Sequence, residues 1–209
     1  MSRLRLAALY PIIDVSAQRP WARSRDLAQA VLAAGVPWLQ LRCKALPAQR
    51  SVEIARELVE LAKRCGAGVI VNDRVDVALA SGAGGVHVGQ EDLPPINARA
   101  LLGPGRIVGV STHTREEALR AQAAGADYVG FGPLFPTTTK GDALQPRPAG
   151  ALSELRAVLA IPIVAIGGID EQRAPFVLDA GADAVAMIGA LAASADPRAL
   201  AERLMRHRS

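Results

Sequence analysis

The segment AGADYVGFGPLFPTTTK, residues 124–140, contains in one piece the pattern that decides the fold. It opens on small residues around Gly125, continues through the short apolar run Tyr128–Phe131 and ends in a polar loop. Glycine is favoured just after a helix, because the chain there turns into a left-handed conformation. The loop carries three threonine hydroxyls and a lysine, which are the groups that an anionic ligand needs. The segment therefore predicts a helix end, a buried strand and a functional loop in direct succession.

The same pattern recurs along the chain. Gly35, Gly82 and Gly181, like Gly125, stand between a helical pattern and an apolar run. Eight short apolar runs alternate in this way with eight helical segments, and continuous apolarity is typical of parallel strands buried on both faces. The alternation predicts an α/β protein whose residues 1–209 form a single domain, a parallel (β/α)8 TIM barrel. The predicted strands are residues 7–13, 37–42, 67–71, 84–88, 106–110, 127–131, 162–166 and 183–187, and the predicted helices are residues 23–34, 47–64, 74–81, 95–102, 114–124, 149–159, 170–179 and 196–206.

The composition limits the class of protein. With 209 residues, of which 50% are hydrophobic, the chain is long enough for one barrel with a full core. Its net charge of +4 is compatible with an anionic small substrate, although a basic surface without a specific role is the favoured interpretation. Basic and aromatic residues do not alternate, so nucleic-acid binding has little support. No apolar stretch approaches the ~18 residues of a membrane span, and no secretory signal is recognisable. We therefore expect a cytoplasmic protein, not bound to a membrane, in which Cys43 and Cys65 are free thiols.

Polar residues end the second predicted strand. Active sites of TIM barrels lie at the carboxyl ends of the strands. Gln40, Arg42 and Lys44 share one face of this strand by alternation, and Leu41 and Cys43 share the other. Two cations and an amide in the barrel mouth are costly unless they meet an anion, and arginine can hold phosphate oxygens in a bidentate manner. The alternative is a frayed strand end with solvated charges.

Two carboxylates follow neighbouring strands. Asp73 comes after the third predicted strand, behind Asn72, and Asp92 comes after the fourth. Asp73 alone could merely cap the helix that is predicted to begin near Arg74. Two carboxylates that face one cavity can instead hold Mg2+, which prefers oxygen ligands, retains water and bridges substrate phosphates. The pair favours the metal site, whereas His87, set back between two valines, is interpreted as structural.

The fifth strand and the last two supply further candidates. Ser111 could donate to a phosphate, or Ser111 or Thr112 could cap the helix beginning near residue 114. His113 could be a general acid, although a surface histidine is the favoured interpretation. Glycines close the last two strands, where barrels often bind phosphate through backbone N–H groups. The mouth is thus predicted to hold two anion sites. One has Arg42, Lys44, Lys140 and Mg2+, and the other has Gly168, Ile188 and Gly189. Two such sites are what a condensation of two phosphorylated substrates with release of pyrophosphate would need.

Taken together, these motifs resemble the thiamine-phosphate synthase family. They occur in the family's order over roughly residues 8–192, and their joint specificity is high although each alone is modest. The matching motifs are Gln40-Leu41-Arg42-x-Lys44, Asn72-Asp73-Arg74, Gly85-Val86-His87-Val88-Gly89-Gln90-x-Asp92, Gly109-Val110-Ser111-x-His113, Gly125-Ala126-Asp127-Tyr128, Gly132-Pro133-x-Phe135-x-Thr137-x-Thr139-Lys140 and Ile166-Gly167-Gly168-Ile169.

The resemblance implies a transferase that joins hydroxymethylpyrimidine diphosphate to thiazole phosphate, giving thiamine phosphate and pyrophosphate. It implies Mg2+ as cofactor and diphosphate departure, through a pyrimidine-stabilised carbocation, before the thiazole nitrogen attacks. Such a reaction needs positioning and charge stabilisation more than a base. The family's pattern assigns the pyrimidine diphosphate to Gln40, Arg42, Lys44, Asn72, Ser111 and Lys140, the thiazole phosphate to Thr137, Thr139, Gly168, Ile188 and Gly189, Mg2+ to Asp73 and Asp92, and catalysis to Lys140, Arg42 and Ser111.

The chain also departs from the family's pattern. Gly189 stands where many relatives carry a small hydroxyl residue, so only a backbone contact to phosphate can remain there. Residues 141–148 match nothing specific. The nearest alternative is a thiazole tautomerase of the same fold, which lacks the full metal and diphosphate set, and another is a phosphate-binding barrel without turnover. The sequence leaves the oligomeric state open, although related barrels are often homodimers.

Overall fold

The computed structural model describes residues 6–137, 145–148 and 150–208. Eight parallel strands form a closed barrel in which each strand pairs with the next along the chain and the last pairs with the first. This arrangement confirms the predicted TIM barrel. The strands are β1 (Leu9–Asp14), β2 (Trp38–Arg42), β3 (Gly68–Asn72), β4 (Gly85–Val88), β5 (Ile107–Thr112), β6 (Tyr128–Phe131), β7 (Ile163–Ala165) and β8 (Ala184–Met187).

Helices alternate with the strands, and several bounds differ from the prediction, as at α6, which spans Ala151–Arg156 rather than 149–159. Helix α7 begins at Ala174 rather than at residue 170, because the Asp170 carboxylate accepts a hydrogen bond from the Arg173 backbone N–H in a turn. A short helix, α8, directly follows β8. None of the described helices has both the length and the apolarity to cross a membrane. The helices are α1 (Trp21–Ala33), α2 (Ala48–Arg64), α3 (Val75–Ser81), α4 (Pro95–Leu102), α5 (Arg115–Ala123), α6 (Ala151–Arg156), α7 (Ala174–Asp179), α8 (Gly189–Ala193) and α9 (Pro197–Met205), followed by a 3-10 turn, Arg206–Arg208.

The core has an outer and an inner layer, since alternate residues of each strand face opposite sides. In β1, Leu9 and Ile13 pack against the helices, whereas Tyr10 and Ile12 point into the barrel. Tyr10 and Tyr128 are the largest fully buried side chains of the inner layer. The barrel interior therefore combines an apolar filling with two buried phenolic hydroxyls.

The repeated glycine pattern has a structural basis at the amino ends of the strands. Gly125 and Gly181 follow helices with positive φ angles of 84° and 112°. Two residues later, Asp127 accepts hydrogen bonds from the Val108 backbone N–H and from an arginine of α4. Asp183 likewise accepts hydrogen bonds from the Ile163 backbone N–H and from an arginine of α6. These carboxylates tie helices to strands at the end of the barrel opposite the predicted site.

Candidate active site

A pocket opens at the carboxyl ends of the strands and extends into the barrel. Its wall combines apolar side chains with hydroxyl, amide, imidazole and guanidinium groups. Five of the residues predicted for the two substrates lie together along it: Gln40, Arg42, Asn72, Ser111 and Ile188. The lining residues come from, or directly follow, all eight strands: Tyr10, Ile12, Gln40, Arg42, Asn72, His87, Ser111, Tyr128, Gly130, Val164, Ile166, Ala186 and Ile188.

Strand β2 delivers an amide and a guanidinium to the pocket. Gln40 is buried and Arg42 is half-buried, while Leu41 packs in the outer layer, as the predicted alternation requires. Lys44 lies two residues beyond the end of β2, exposed in the following turn. Its charge nevertheless acts on the site, because it lowers the pKa of Asp73.

Arg42 is held in place by a residue that the sequence analysis did not identify. Arg42 Nη1 donates a hydrogen bond to Asp14 Oδ1 at 2.6 Å, and each of the two side chains is 11% exposed. Asp14 ends β1, directly opposite Arg42 in the register of the two strands. Because the guanidinium group has five N–H donors, this contact orients Arg42 and leaves others for an anion.

The predicted carboxylates, Asp73 and Asp92, lie next to each other. Asp73 does not cap helix α3, because the N-cap position is occupied by Arg74, whose side chain makes no capping hydrogen bond. Instead, Asp73 adopts a positive φ of 62°, and its backbone N–H donates to the carbonyl oxygen of His87. Asp92 accepts a hydrogen bond of 2.7 Å from the Gly89 backbone N–H. The backbone thus holds both residues in their loops.

The environment of Asp73 tests whether the pair fits a divalent cation. Burial, followed by hydrogen bonding and charge repulsion from the Asp92 carboxyl group, raises the pKa of Asp73 from 3.8 to about 6. Two crowded carboxylates repel each other, and a cation that prefers oxygen ligands would offset this repulsion. Among the described residues there is no group of three or more His, Cys, Asp or Glu side chains suited to a metal. Two carboxylates suffice for Mg2+, because its remaining ligands are usually water and substrate oxygens.

Ser111 contacts a histidine and caps no helix. Strand β5 continues to Thr112, two residues beyond the predicted end, so both hydroxyl residues lie in the strand. The N-cap of α5 is Thr114, whose hydroxyl accepts a hydrogen bond from the Glu117 backbone N–H. Ser111 Oγ lies 2.8 Å from His87 Nε2. Of the two interpretations that the sequence left open for Ser111, the structure excludes the cap.

His87 lies in the pocket wall. Its other ring nitrogen, Nδ1, lies 2.9 Å from the Tyr128 hydroxyl, which is 2.8 Å from the Tyr10 hydroxyl. The interpretation of His87 as purely structural thus overlooked its contact with Ser111. The reason is that β4 and β5 set His87 beside Gly109 in register, so the ring reaches forward along the pocket to the residue two positions further.

The loops after β6 and β7 pack closely against each other. The Leu134 and Phe135 backbone N–H groups donate to the carbonyl oxygens of Ile166 and Gly167. At Gly168, with φ of 60°, a Cβ atom would lie 2.5 Å from the Pro136 carbonyl oxygen, so only glycine fits. Arg173 completes the packing, because its Nη1 donates to the Gly168 carbonyl oxygen at 2.6 Å while its guanidinium lies 4.7 Å from the centre of the Phe135 ring.

Three further residues predicted to bind phosphate, Thr137, Ile188 and Gly189, lie in the described parts of the chain. Thr137 continues the loop after β6, Ile188 lines the pocket as the N-cap of α8, and Gly189 begins that helix. Thr139 and Lys140 lie outside the described residues. His113, for which a surface position was favoured, is half-buried and donates from Nδ1 to the Gly132 carbonyl oxygen at 2.6 Å.

Three polar residues of the site were given no role in the sequence analysis, for one reason. Asp14, Tyr10 and Tyr128 lie within or at the end of apolar strands, where a polar group is easily interpreted as part of the core. A signal was nevertheless present, because Tyr10 and Asp14 alternate with Ile12 on one face of β1. Polar atoms at two inward positions of one buried strand need partners, which indicates a pocket.

Comparison with known proteins finds relatives that are described as thiamine-phosphate synthases. A family model described as thiamine monophosphate synthase matches residues 9–191. The thiamine-phosphate synthase of Moorella thermoacetica is 50% identical over 179 residues, which cover 86% of this chain and 85% of that protein. The enzyme of the same description from Chlorobium phaeovibrioides is 48% identical over 179 residues, 86% of either chain. The solved structure of a thiamine phosphate pyrophosphorylase from Pyrococcus furiosus matches with a TM-score of 0.85 and 34% identity, covering 97% of this chain and 96% of that one.

Proposed function

We propose how the pocket serves two substrates, given that the chain belongs to the thiamine monophosphate synthase family and has thiamine-phosphate synthase activity, a transferase activity. The reaction joins hydroxymethylpyrimidine diphosphate to thiazole phosphate and releases pyrophosphate. The proposal rests on one observation: Arg42 lies near the carboxylates Asp73 and Asp92 at the mouth of a largely apolar pocket. A flat, neutral pyrimidine suits the interior, and its charged diphosphate suits the mouth.

The pyrimidine diphosphate spans from the interior to the mouth in this proposal. Gln40, buried beside the two tyrosine hydroxyls, offers amide donor and acceptor groups to the ring. Arg42 and Lys44 face the diphosphate as cations. The side chains of Asn72 and Ser111, both in the pocket wall, supply further hydrogen bonds to it. Lys140 joins them on the strength of the family's motif alone.

The carboxylates Asp73 and Asp92 would hold Mg2+. When bound, this ion supplies positive charge to the diphosphate oxygens and so makes pyrophosphate a better leaving group. The loop geometry supports this role, because the Gly89 N–H holds Asp92 and the left-handed backbone of Asp73 brings its side chain beside it.

The thiazole phosphate binds on the opposite side of the mouth in this proposal. Backbone N–H groups after β7 and β8, at Gly168, Ile188 and Gly189, are suited to a phosphate because they carry no competing charge. The hydroxyls of Thr137 and Thr139 add donors from the loop after β6. The tight packing of Phe135 and Pro136 on Gly168 supports the assignment, because it holds the two loops together as one surface.

The bond from the pyrimidine methylene carbon to oxygen breaks first, and its electron pair leaves with the diphosphate. The thiazole nitrogen lone pair then forms the new carbon–nitrogen bond, so no proton has to be removed by a strong base. Arg42, Lys44, Lys140 and Ser111 stabilise the charge on the departing group, and the pocket walls keep the two reacting atoms in line. The water-poor interior around Ile12, Val164 and Ala186 protects the carbocation.

The test is an assay of thiamine phosphate, detected as its fluorescent oxidation product. Purified protein receives both substrates and Mg2+, with EDTA in a parallel reaction. The Asp92→Ala variant should lose at least ~100-fold in turnover, a typical loss for one electrostatic contributor. Asp179→Ala, an exposed carboxylate paired with His207 at the far end of α7, is the matched control and should retain turnover. Folded protein without product would overturn the proposal, and the same preparation would then be tested for thiazole tautomerisation.

Several predictions from the sequence stand beside this proposal. We propose a single domain over residues 1–209, a cytoplasmic location and no nucleic-acid partner. A homodimer is the assembly that we would look for first, by light scattering of the purified protein.

A further inference from the structure

Four buried or half-buried side chains form one hydrogen-bonded chain across the barrel. The Tyr10 hydroxyl lies 2.8 Å from the Tyr128 hydroxyl, which lies 2.9 Å from His87 Nδ1, and His87 Nε2 lies 2.8 Å from Ser111 Oγ. These residues belong to β1, β6, β4 and β5, so no local sequence pattern links them. Only the last member, Ser111, is among the residues assigned to the diphosphate.

The protons of this chain can be placed by counting donors and acceptors. A diphosphate oxygen only accepts, so a Ser111 hydroxyl that binds it must direct its proton to the ligand. Ser111 Oγ then accepts from His87, which requires a proton on Nε2. In a neutral imidazole the other nitrogen, Nδ1, must then accept, and Tyr128 is the hydroxyl that donates to it. If the hydrogen bonds ran in the opposite direction, Ser111 would donate its proton to His87 Nε2 and could not donate it to the diphosphate.

The surroundings keep both tyrosines as donors. Tyr10 and Tyr128 are fully buried, and burial raises the pKa of each hydroxyl, so both keep their protons at neutral pH. The Tyr128 hydroxyl can therefore donate to His87 while accepting from Tyr10. Burial also removes competing water, which would otherwise satisfy either ring nitrogen of His87 equally well.

Two glycines make room for the chain. A Cβ atom at Gly109 would lie 2.2 Å from Cζ of Tyr128, and one at Gly130 would lie 3.1 Å from Cε1 of His87. Both glycines lie in strands, where glycine weakens the element and commonly marks a close approach. Their positions show that the backbone is arranged around these two rings.

We propose that Tyr10, Tyr128 and His87 act as positioning residues, which hold His87 in the neutral Nε2–H form so that Ser111 presents its hydroxyl proton to the diphosphate. This inference rests on the proposed role of Ser111 in the reaction. His87 touches no reacting atom in it, and its effect passes through Ser111. The arrangement resembles the way in which a carboxylate or carbonyl selects the tautomer of a metal-binding histidine.

The tautomer can be measured directly, without substrate and without a change at any of the four hydrogen-bonded residues. The chain has three histidines, so long-range 1H–15N spectra of histidine-labelled protein are simple to assign with His113→Asn and His207→Asn variants. His87 should show a protonated Nε2 and an unprotonated Nδ1. His113 provides an internal contrast, because its Nδ1 donates to a carbonyl oxygen and should carry the proton. Any form of His87 other than neutral Nε2–H overturns the proposal.

A double-mutant cycle of Tyr128 and Ser111, measured by kinetics, tests whether the effect of Tyr128 on the reaction passes through Ser111. Tyr128→Phe and Ser111→Ala should each lower kcat/KM for the pyrimidine diphosphate by about 10-fold or more, the size of one lost hydrogen bond to a charged group. The double variant should have nearly the same kcat/KM as Ser111→Ala, because Tyr128 acts on the reaction only by orienting the Ser111 hydroxyl. Losses that multiply would overturn the proposal.

Two further controls distinguish a positioning role of these residues from a loss of protein stability and from a failure of the proposed function. Thr112→Val removes a buried hydroxyl of the same strand, whose partner is the Gly130 carbonyl oxygen at 3.1 Å, and should change neither the kinetics nor the His87 spectrum. If Tyr128→Phe does not fold, the wild-type spectrum still decides the tautomer. Wild-type protein without turnover would contradict the proposed function, whereas the wrong tautomer in an active enzyme would contradict only this inference.

Discussion

Asp14 and Arg42 form an ion pair that joins the last residue of β1 to the last residue of β2, with 2.6 Å between Oδ1 and Nη1. The two residues are 28 positions apart in sequence and directly opposite in the sheet. Asp14 is also 3.7 Å from Arg19, a more exposed cation. The cation assigned to the diphosphate is therefore oriented by a residue of the neighbouring strand.

Loss of the Asp14 carboxylate should weaken binding of the pyrimidine diphosphate. In Asp14→Ala, Arg42 loses its charge-assisted hydrogen bond, and we expect KM to rise about 10-fold or more. Asp14→Asn keeps an acceptor and should lose less. Steady-state kinetics with thiazole phosphate at saturation measure the effect, and Arg19→Ala, which removes the weaker partner, is the control. An unchanged KM in Asp14→Ala would show that Arg42 needs no anchor.

The raised pKa of Asp73 predicts a pH-dependent stability of the metal-free protein. The folded chain binds this proton near pH 6 and the unfolded chain near pH 3.8, so between these values the folded state holds more protons. The contribution to the free energy of unfolding is therefore present at low pH and is lost as pH rises through about 6. Asp73→Asn removes the charge and should stabilise the protein at pH 7.5 by about 1 kcal/mol, after a discount for solvent screening.

Urea unfolding in EDTA at pH 4.5 and 7.5 measures this difference. The gain from Asp73→Asn should shrink at the lower pH, where the wild-type carboxyl group is already protonated. Asp76→Asn is a contrasting control, because hydrogen bonding to Arg74 lowers the pKa of Asp76 and its loss should not stabilise the protein at pH 7.5. A gain of the same size at both pH values would argue against a raised pKa at Asp73.

Replacement of Gly168 by alanine should impair use of the thiazole phosphate. The new Cβ would lie 2.5 Å from the Pro136 carbonyl oxygen and 2.8 Å from Phe135 Cβ, so the two loops must separate. We expect kcat/KM for thiazole phosphate to fall about 10-fold, the order of a misplaced binding group. Gly66→Ala is matched to it, with φ of 68° and open space around the new atom. Both variants carry backbone strain of about 1 kcal/mol, but only Gly168→Ala should change the kinetics.

Lys140 was assigned from its motif, and its replacement tests that assignment. Lys140→Ala should lower turnover by at least ~100-fold, because a cation on the departing diphosphate acts mainly in the transition state. Lys63→Ala, on the last turn of α2, removes a cation outside the pocket and serves as control. Near-normal turnover of Lys140→Ala would remove Lys140 from the mechanism.

The two cysteines should differ in reactivity. Burial, with a smaller effect of Asp14, raises the pKa of the Cys43 thiol to about 12, whereas Cys65 is exposed. Since the thiolate is the reactive form, Cys43 should react with a disulfide reagent at pH 8 at least ~100-fold more slowly than Cys65. The native protein should therefore show one fast equivalent, which Cys65→Ser abolishes. A fast equivalent that survives in Cys65→Ser would contradict the burial of Cys43.

Local patterns were sufficient for the fold because each barrel unit has a local signature. The glycine of Gly125-Ala126-Asp127 ends a helix through its own backbone freedom, and the apolar run after it is buried whatever its partners. The start of α7 differed from the prediction because the Asp170 carboxylate holds a turn with the Arg173 backbone N–H, a contact that apolar periodicity does not report.

The sequence by itself determined the barrel, the family and the set of polar residues at the strand ends, because alternation and strand direction bring those ends to one mouth. Tertiary structure alone decided which of these residues touch. Asp14 reaches Arg42, and Tyr128 reaches Ser111 through His87, only because strand register aligns them. Hydrogen bonds act over about 3 Å, a distance that sequence separation does not encode. Local sequence therefore determines which polar groups reach the mouth, and the closure of the barrel determines how these groups are oriented.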